Sequence, residues 1–226
     1  MKKIICCLFA FMLLLSACSS LADDVSANHT LYYQGHASLR ITTAEGKVIY
    51  VDPYSGDGYD VPADLILVTH RHDDHNGVHK IKNRNEGCQV ITWKEGLVDG
   101  EYQVFDLGYA TVEAVQAGNR NHDIKKCVGW VITLSGGVTV YAAGDTSTTE
   151  QMAELGERDL HYAFFPVDGV FNMEMDEAIA CAELVKARHN IPYHTTSVSR
   201  FDQARAELFQ APNLLIVPAG EEIILE

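Results

Sequence analysis

The sequence predicts an α/β protein built from two β-sheets packed face to face, with helices covering the outsides. Three observations carry this. Short apolar runs bounded by turn residues recur through both halves of the chain. Helical patterns are interleaved with them, the clearest at residues 176–188. No Pro/Gly-rich linker or internal sequence repeat divides the chain after residue 28, so both runs of strands belong to one domain of residues 29–226.

Residues 31–34, 38–42 and 47–51 read as three short strands, with Gly35 and the Glu45-Gly46 pair marking the turns. Residues 64–69 form a continuous apolar run, as expected of a buried strand. A short helix is expected at 76–83, then strands at 89–92, 102–107 and 111–115. Strands at 128–134 and 138–142 flank Ser135-Gly136-Gly137, a hairpin signal. A helix at 148–155 leads to a strand at 162–167. In the helix at 176–188, Ala178, Ile179, Ala182 and Val185 share one face and Glu177, Glu183 and Lys186 lie outside it. A helix at 201–209 and strands at 214–217 and 222–225 close the chain.

The first residues follow other rules. Lys2 and Lys3 precede an apolar run from Ile4 to Leu15, followed by Ser16, Ala17 and Cys18. This is the charged region, apolar region and small-residue site of an export signal, and the run is short for a membrane span. Leu15-Ser16-Ala17-Cys18 resembles a bacterial lipobox. That resemblance implies a lipoprotein signal peptide at residues 1–17 and a lipid on Cys18, which anchors the chain in the bacterial cell envelope. Residues 18–28 are small and polar, a flexible tether.

The net charge of −14 argues against nucleic acid as a partner and leaves a small-molecule substrate. Of the cysteines beyond the export segment, Cys88, Cys127 and Cys181, an odd number allows one disulfide at most. Cys88 with Cys127 is the candidate pair, and Cys181 is expected as a buried small residue of its helix.

The most informative segment is His70-Arg71-His72-Asp73-Asp74-His75. Histidines and a carboxylate follow a buried strand in the pattern His-x-His-x-Asp-His, and imidazole with carboxylate suits zinc and similar divalent ions. His70 and His72 alternate, so they can turn to one ion. Asp74 and His75 are adjacent and fit a second ion beside it. The spacing therefore predicts a dinuclear site holding a bridging hydroxide. Further ligands are sought at strand ends. His122, Asp145 and His194 qualify, Asp145 directly after Gly144, whose backbone freedom permits a tight turn.

These residues in this order resemble the metallo-β-lactamase superfold, an αββα four-layer sandwich, from about Leu31 to the C-terminus. The resemblance implies that His70, His72 and His122 bind one metal, that Asp74, His75 and His194 bind the other, and that Asp145 bridges them. Gly35-His36-Ala37-Ser38-Leu39, Val51-Asp52-Pro53-Tyr54, Val128-Gly129-Trp130, Ala143-Gly144-Asp145-Thr146 and Ile191-Pro192-Tyr193-His194-Thr195 are similar to the branch of small metal-dependent hydrolases that includes ascorbate-6-phosphate lactonase. Two divalent ions are implied, zinc first, with manganese or iron also compatible. The expected reaction is hydrolysis of an ester, lactone, amide or phosphodiester, with Asp74 steering the nucleophile and accepting a proton. A β-lactamase and a non-catalytic metal-binding envelope lipoprotein are the alternatives. Asp52 is expected to orient a ligand, and His36 is open between a structural and a substrate-facing role.

Overall fold

A computed structural model describes residues 28–197 and 200–226. The expected signal peptide, Cys18 and nearly all of the tether lie outside the described residues. The first sheet contains β1 (His29–Gly35), β2 (Ser38–Thr42), β3 (Val48–Val51), β4 (Ala63–Val68) and β5 (Arg84–Thr92), with β14 (Glu222–Leu225) added beside β1. The second contains β8 (Val104–Asp106), β9 (Ala110–Gln116), β10 (Val128–Leu134), β11 (Thr139–Ala142), β12 (Tyr162–Pro166) and β13 (His189–Tyr193), in that spatial order. A hairpin of β6 (Leu97–Val98) and β7 (Glu101–Tyr102) stands apart.

The two sheets repeat one pattern of directions. In the first, β1, β2 and β3 pair antiparallel and β3, β4 and β5 pair parallel. In the second, β9, β10 and β11 pair antiparallel and β11, β12 and β13 pair parallel. Strands β4 and β12 have parallel neighbours on both sides and are buried at every residue, which is why Ala-Asp-Leu-Ile-Leu-Val and Tyr-Ala-Phe-Phe-Pro are almost wholly apolar. Strand β9 has antiparallel neighbours and alternates between buried and half-buried residues over most of its length.

Leu31, Leu65, Trp130, Ile132 and Phe164 are among the side chains filling the space between the sheets. A second apolar layer lies between the far face of the second sheet and the helices α2 (Gln151–Leu155) and α3 (Met175–Val185). Helix α3 buries Ala178, Cys181, Ala182 and Val185, the spacing of one helical face. It ends where Lys186 turns left-handed. Helix α4 (Gln203–Glu207) is capped by Asp202, whose carboxylate accepts the Arg205 N–H at 3.1 Å. The outer face of the first sheet is covered more thinly, by Tyr59, Val61 and a single 3-10 turn at Val78–Lys80.

That turn is all that forms of the helix expected at 76–83. The Gly77 N–H is drawn to the Pro53 carbonyl at 2.7 Å, which pins the segment to the loop after β3. The expected strand at 214–217 reduces to a bridge between Leu214 and Asn190. Helix α1 (Trp93–Gly96) and the β6–β7 hairpin were not expected, and β5 starts earlier than its apolar residues suggest. Cys88, Cys127 and Cys181 are free thiols, with no bridge between Cys88 and Cys127.

Candidate metal centre

Strands β1, β3 and β4 run in one direction, as do β9, β11, β12 and β13, so their C-terminal ends line one edge of each sheet. Every residue of the cluster leaves such an end. His36 follows β1, Asp52 follows β3, and residues 70–75 follow β4. In the second sheet His122 lies in the loop after β9, Asp145 follows β11, Asp168 follows β12 and His194 follows β13. Loops on rigid strand ends fix side chains with little freedom to relax.

The structure brings all seven expected residues together. Possible ligand atoms of His70, His72 and His122 lie within 4.8 Å of one another, and so do those of His36, Asp74, His75 and His194. Asp145 stands between the groups. Its Oδ2 is 3.2 Å from His122 Nε2, while its Oδ1 is 3.2 Å from His75 Nε2 and 3.6 Å from His194 Nε2. His36, open in the sequence, packs against His194 with ring centroids 3.7 Å apart and the rings tilted by 41°, and its Nε2 is 3.2 Å from Asp74 Oδ2.

A surrounding layer of hydrogen bonds, joined by one ion-pair contact, sets which nitrogen each ring presents. Asp52 Oδ2 accepts the His75 Nδ1–H at 2.7 Å and the Thr69 hydroxyl at 2.6 Å. The Thr69 oxygen lies 3.1 Å from His70 Nδ1 and accepts its proton, since its own hydrogen goes to Asp52. Asn119 Oδ1 accepts the His122 Nδ1–H at 2.9 Å, and Asp168 Oδ2 faces His194 Nδ1 at 3.1 Å. In all four rings Nε2 is left to point inward. Thr69, Asn119 and Asp168 escaped the sequence reading. Asp168 alone offered the signal that located Asp145, a carboxylate just past an apolar strand.

The inward atoms are short of partners. His70 Nε2, His75 Nε2, His194 Nε2 and Asp145 Oδ1 are buried and make no hydrogen bond. Unsatisfied buried polar atoms are costly, and four converging ones fit a cation that would accept their lone pairs. Burial holds His70 neutral, its pKa pulled down to about 2 with help from the charge on His75. Burial would also pull His75 down, but the carboxylates of Asp145 and Asp52 outweigh it and raise that ring well above the usual range. Asp145 is pushed up by burial and pulled down further by His75 and His194, so it stays a carboxylate.

The backbone is strained at the same places. His36, Asp52 and His194 hold φ of 56°, 45° and 45°, each at a cost of about 1–2 kcal/mol for a residue with a side chain. His36 and His194 secure each other, the His194 N–H donating to the His36 carbonyl at 2.8 Å. Gly144 carries the turn before Asp145 with φ of 69°, and a Cβ there would come within 3.0 Å of the Val128 carbonyl.

Comparison with known proteins agrees with this geometry. Residues 30–194 match the family model described as the β-lactamase superfamily domain. A UPF0173 metal-dependent hydrolase of Geobacillus thermodenitrificans is 32% identical over 191 residues, covering 72% of this chain and 83% of the relative. One from Geobacillus sp. strain WCH70 is 30% identical over 190 residues with the same coverage of both chains. A crystal structure from Parabacteroides distasonis superposes with a TM-score of 0.68 at 26% identity, covering 84% of this chain and 91% of that one. A fold of two sheets with a His/Asp cluster on their shared edge, and this degree of likeness, place the chain in the β-lactamase superfamily, in the UPF0173 family of metal-dependent hydrolases.

Proposed function

We propose that this hydrolase holds two divalent ions, zinc foremost, and cleaves an ester, lactone, amide or phosphodiester bond of a small molecule. The observation that carries the reading is Asp145, whose two oxygens each face a separate group of histidines. Such ions, when bound, lower the pKa of water toward neutrality and polarise a carbonyl or phosphoryl oxygen. His70, His72 and His122 would hold one ion, Asp74, His75 and His194 the other, and Asp145 both. Asp74 is the half-exposed member, its side chain 42% accessible, and so is the carboxylate placed to meet solvent and substrate. Its contact with His36 gives a proton accepted there a route away from the reacting bond. The motifs that resemble the ascorbate-6-phosphate lactonase branch are the reason a lactone stands among these bonds.

The test is metal content with turnover. Elemental analysis of purified protein is expected to give close to two ions per chain. Hydrolysis of p-nitrophenyl esters, homoserine lactones or bis(p-nitrophenyl) phosphate should vanish on chelation, return with zinc, manganese or iron, and be absent from His72→Ala. One ion per chain at full activity removes the dinuclear reading, and two held ions with no turnover favour the non-catalytic alternative. Rapid zinc-dependent nitrocefin cleavage would favour the β-lactamase.

We also propose that the chain is exported and anchored by a lipid on Cys18, on the strength of its lipobox-like sequence. No described helix is long and apolar enough to cross a membrane. Cys18→Ala is expected to move the protein from the membrane fraction to the soluble fraction with hydrolysis intact. Persistent fractionation with membranes would refute the lipid anchor.

A further inference from the structure

The chain is strongly acidic, yet its cations are not spread evenly. Some are neutralised by carboxylates, as in Arg40 with Glu222, Lys47 with Asp64, Arg158 with Glu113 and Arg205 with Glu174, while Lys80, Lys82, Arg84 and Arg120 have no ion pair among the described residues. Beside the metal centre several cations share one cleft. Arg71, Lys94, Lys125 and Lys126 line one open cleft of about 640 Å³ with Trp93 and Leu97. Arg71, Lys94 and Lys125 have no ion pair among the described residues, and Lys126 reaches only the exposed Asp123, at 3.5 Å.

The fold puts this cleft on the functional edge. Trp93 and Lys94 leave the C-terminal end of β5, the strand beside β4, so they emerge next to the His70 to His75 loop. Residues 125 and 126 belong to the loop that carries His122. That loop is fastened to the first by a bridge between Cys127 and His70 and by the Val128 N–H donating to the Thr69 carbonyl at 3.0 Å. The cleft adjoins the metal cluster, because Arg71 and Lys126 also line a smaller cavity with His70, His72 and His122. Its floor is firm. Thr92 and Glu95 close a capping box on helix α1, and Gly96 lies so close to Trp130 that a Cβ would come within 2.7 Å of the indole. Lys94 extends over the Trp93 ring at 5.5 Å.

Cations that outnumber the carboxylates beside them create a local positive potential that attracts and orients an anion, even in an acidic protein. We propose that Arg71, Lys94, Lys125 and Lys126 form an anion-binding subsite that receives a phosphate or carboxylate group of a soluble small-molecule substrate while its scissile bond lies at the metal cluster. Arg71 and Lys126 lie between cluster and cleft, and the planar guanidinium of Arg71 suits either acidic group. Trp93 and Leu97 would contact the apolar part of the molecule next to that group. The assignment rests on the hydrolase reading for the word substrate, but the subsite can be detected without turnover.

Trp93 and the fully buried Trp130 are the tryptophans of the chain, so Trp93 emission reports on the cleft. Metal-loaded protein titrated with adipate and with inorganic phosphate is expected to show a saturable change in that emission, weakened by added salt. His72→Ala, which damages the metal cluster, should retain it. The double variant Lys94→Gln/Lys125→Gln should weaken it at least tenfold. In turnover, the kcat/KM ratio of mono-p-nitrophenyl adipate over p-nitrophenyl acetate should exceed one and fall toward one in the double variant. An emission change with no ester turnover would remove the ester from the proposed bonds and leave the subsite standing. No change with either anion overturns the subsite, as does a change that survives the lysine variant but is lost in His72→Ala, because the anion then sits on the metals. A response to phosphatidylglycerol vesicles that exceeds the response to the soluble anions would overturn the small-molecule assignment in favour of a lipid headgroup.

Discussion

Asp145→Asn is expected to empty both halves of the metal cluster together. The substitution keeps size and shape, so it tests the charge alone. Asp145 is 3% exposed and its oxygens reach His122 on one side and His75 and His194 on the other. An amide offers one acceptor oxygen and a donor that would point at a ring nitrogen or a cation. Removing a residue that merely orients a ligand costs ten- to a hundredfold in metal affinity or activity. Loss of the carboxylate between two sites should exceed that, by roughly a hundredfold or more in kcat/KM. Elemental analysis should show the metal per chain falling well below that of His72→Ala, which strikes one group only. Unchanged stoichiometry would deny Asp145 a place between two ions.

The second large effect is expected at Asp52, which reaches no ion in this arrangement. Its Oδ1 accepts the Thr69 N–H at 2.7 Å, and its Oδ2 serves both the Thr69 hydroxyl and His75. Its backbone carbonyl accepts the Ser38 hydroxyl at 2.7 Å. Through Thr69 and His75 it orients rings that belong to both groups. Asp52→Ala leaves a buried amide N–H, a hydroxyl and an imidazole without their acceptor. Breaking a buried charged pair typically costs about 3–5 kcal/mol, and the left-handed backbone at this position is no easier for alanine. Chemical denaturation of the metal-free protein should therefore show a loss of about 3 kcal/mol or more. Metal affinity should also fall by ten- to a hundredfold. Asp52→Asn, which keeps an acceptor oxygen, should recover part of the stability. A variant as stable as the parent would show that the Thr69 and His75 bonds carry little.

The amino-acid sequence displayed the centre more clearly than its supports. His70, His72, Asp74 and His75 fall within six residues after an apolar strand, and Asp145 stands out beside Gly144. Thr69 and Asn119 have no local pattern of their own, and Asp168 has only its place just past the apolar strand β12. Their importance arises when His70, His122 and His194 come to rest against them. The strands of the two sheets were legible where burial imposes a run of apolar residues, as in β4 and β12. The start of β5 was not, because Arg84, Asn85 and Glu86 are exposed polar residues, tied to the sheet by the pairing of Arg84 with Ala63 and by the Asn85 amide donating to Asp64 Oδ2 at 3.0 Å. Helix α1 is only four residues long, too short for periodicity, and its sole mark was Thr92 followed three places later by Glu95. The apolar residues 214–217 promised a strand, but the chain there touches β13 at one point, with Leu215 donating to the Asn190 carbonyl at 3.0 Å.

The matching strand orders of the two sheets have one more consequence. Neither sheet carries the whole cluster: His70, His72, Asp74 and His75 rise from the first, and His122, Asp145 and His194 from the second. A cation held there would act as a rivet across the seam between the two sheets. The free energy its binding adds to the folded chain, which grows as RT ln(1 + [L]/Kd), is spent against prising the sheets apart at that rim. The edge where chemistry requires open loops is thus also the edge that a bound metal would fasten.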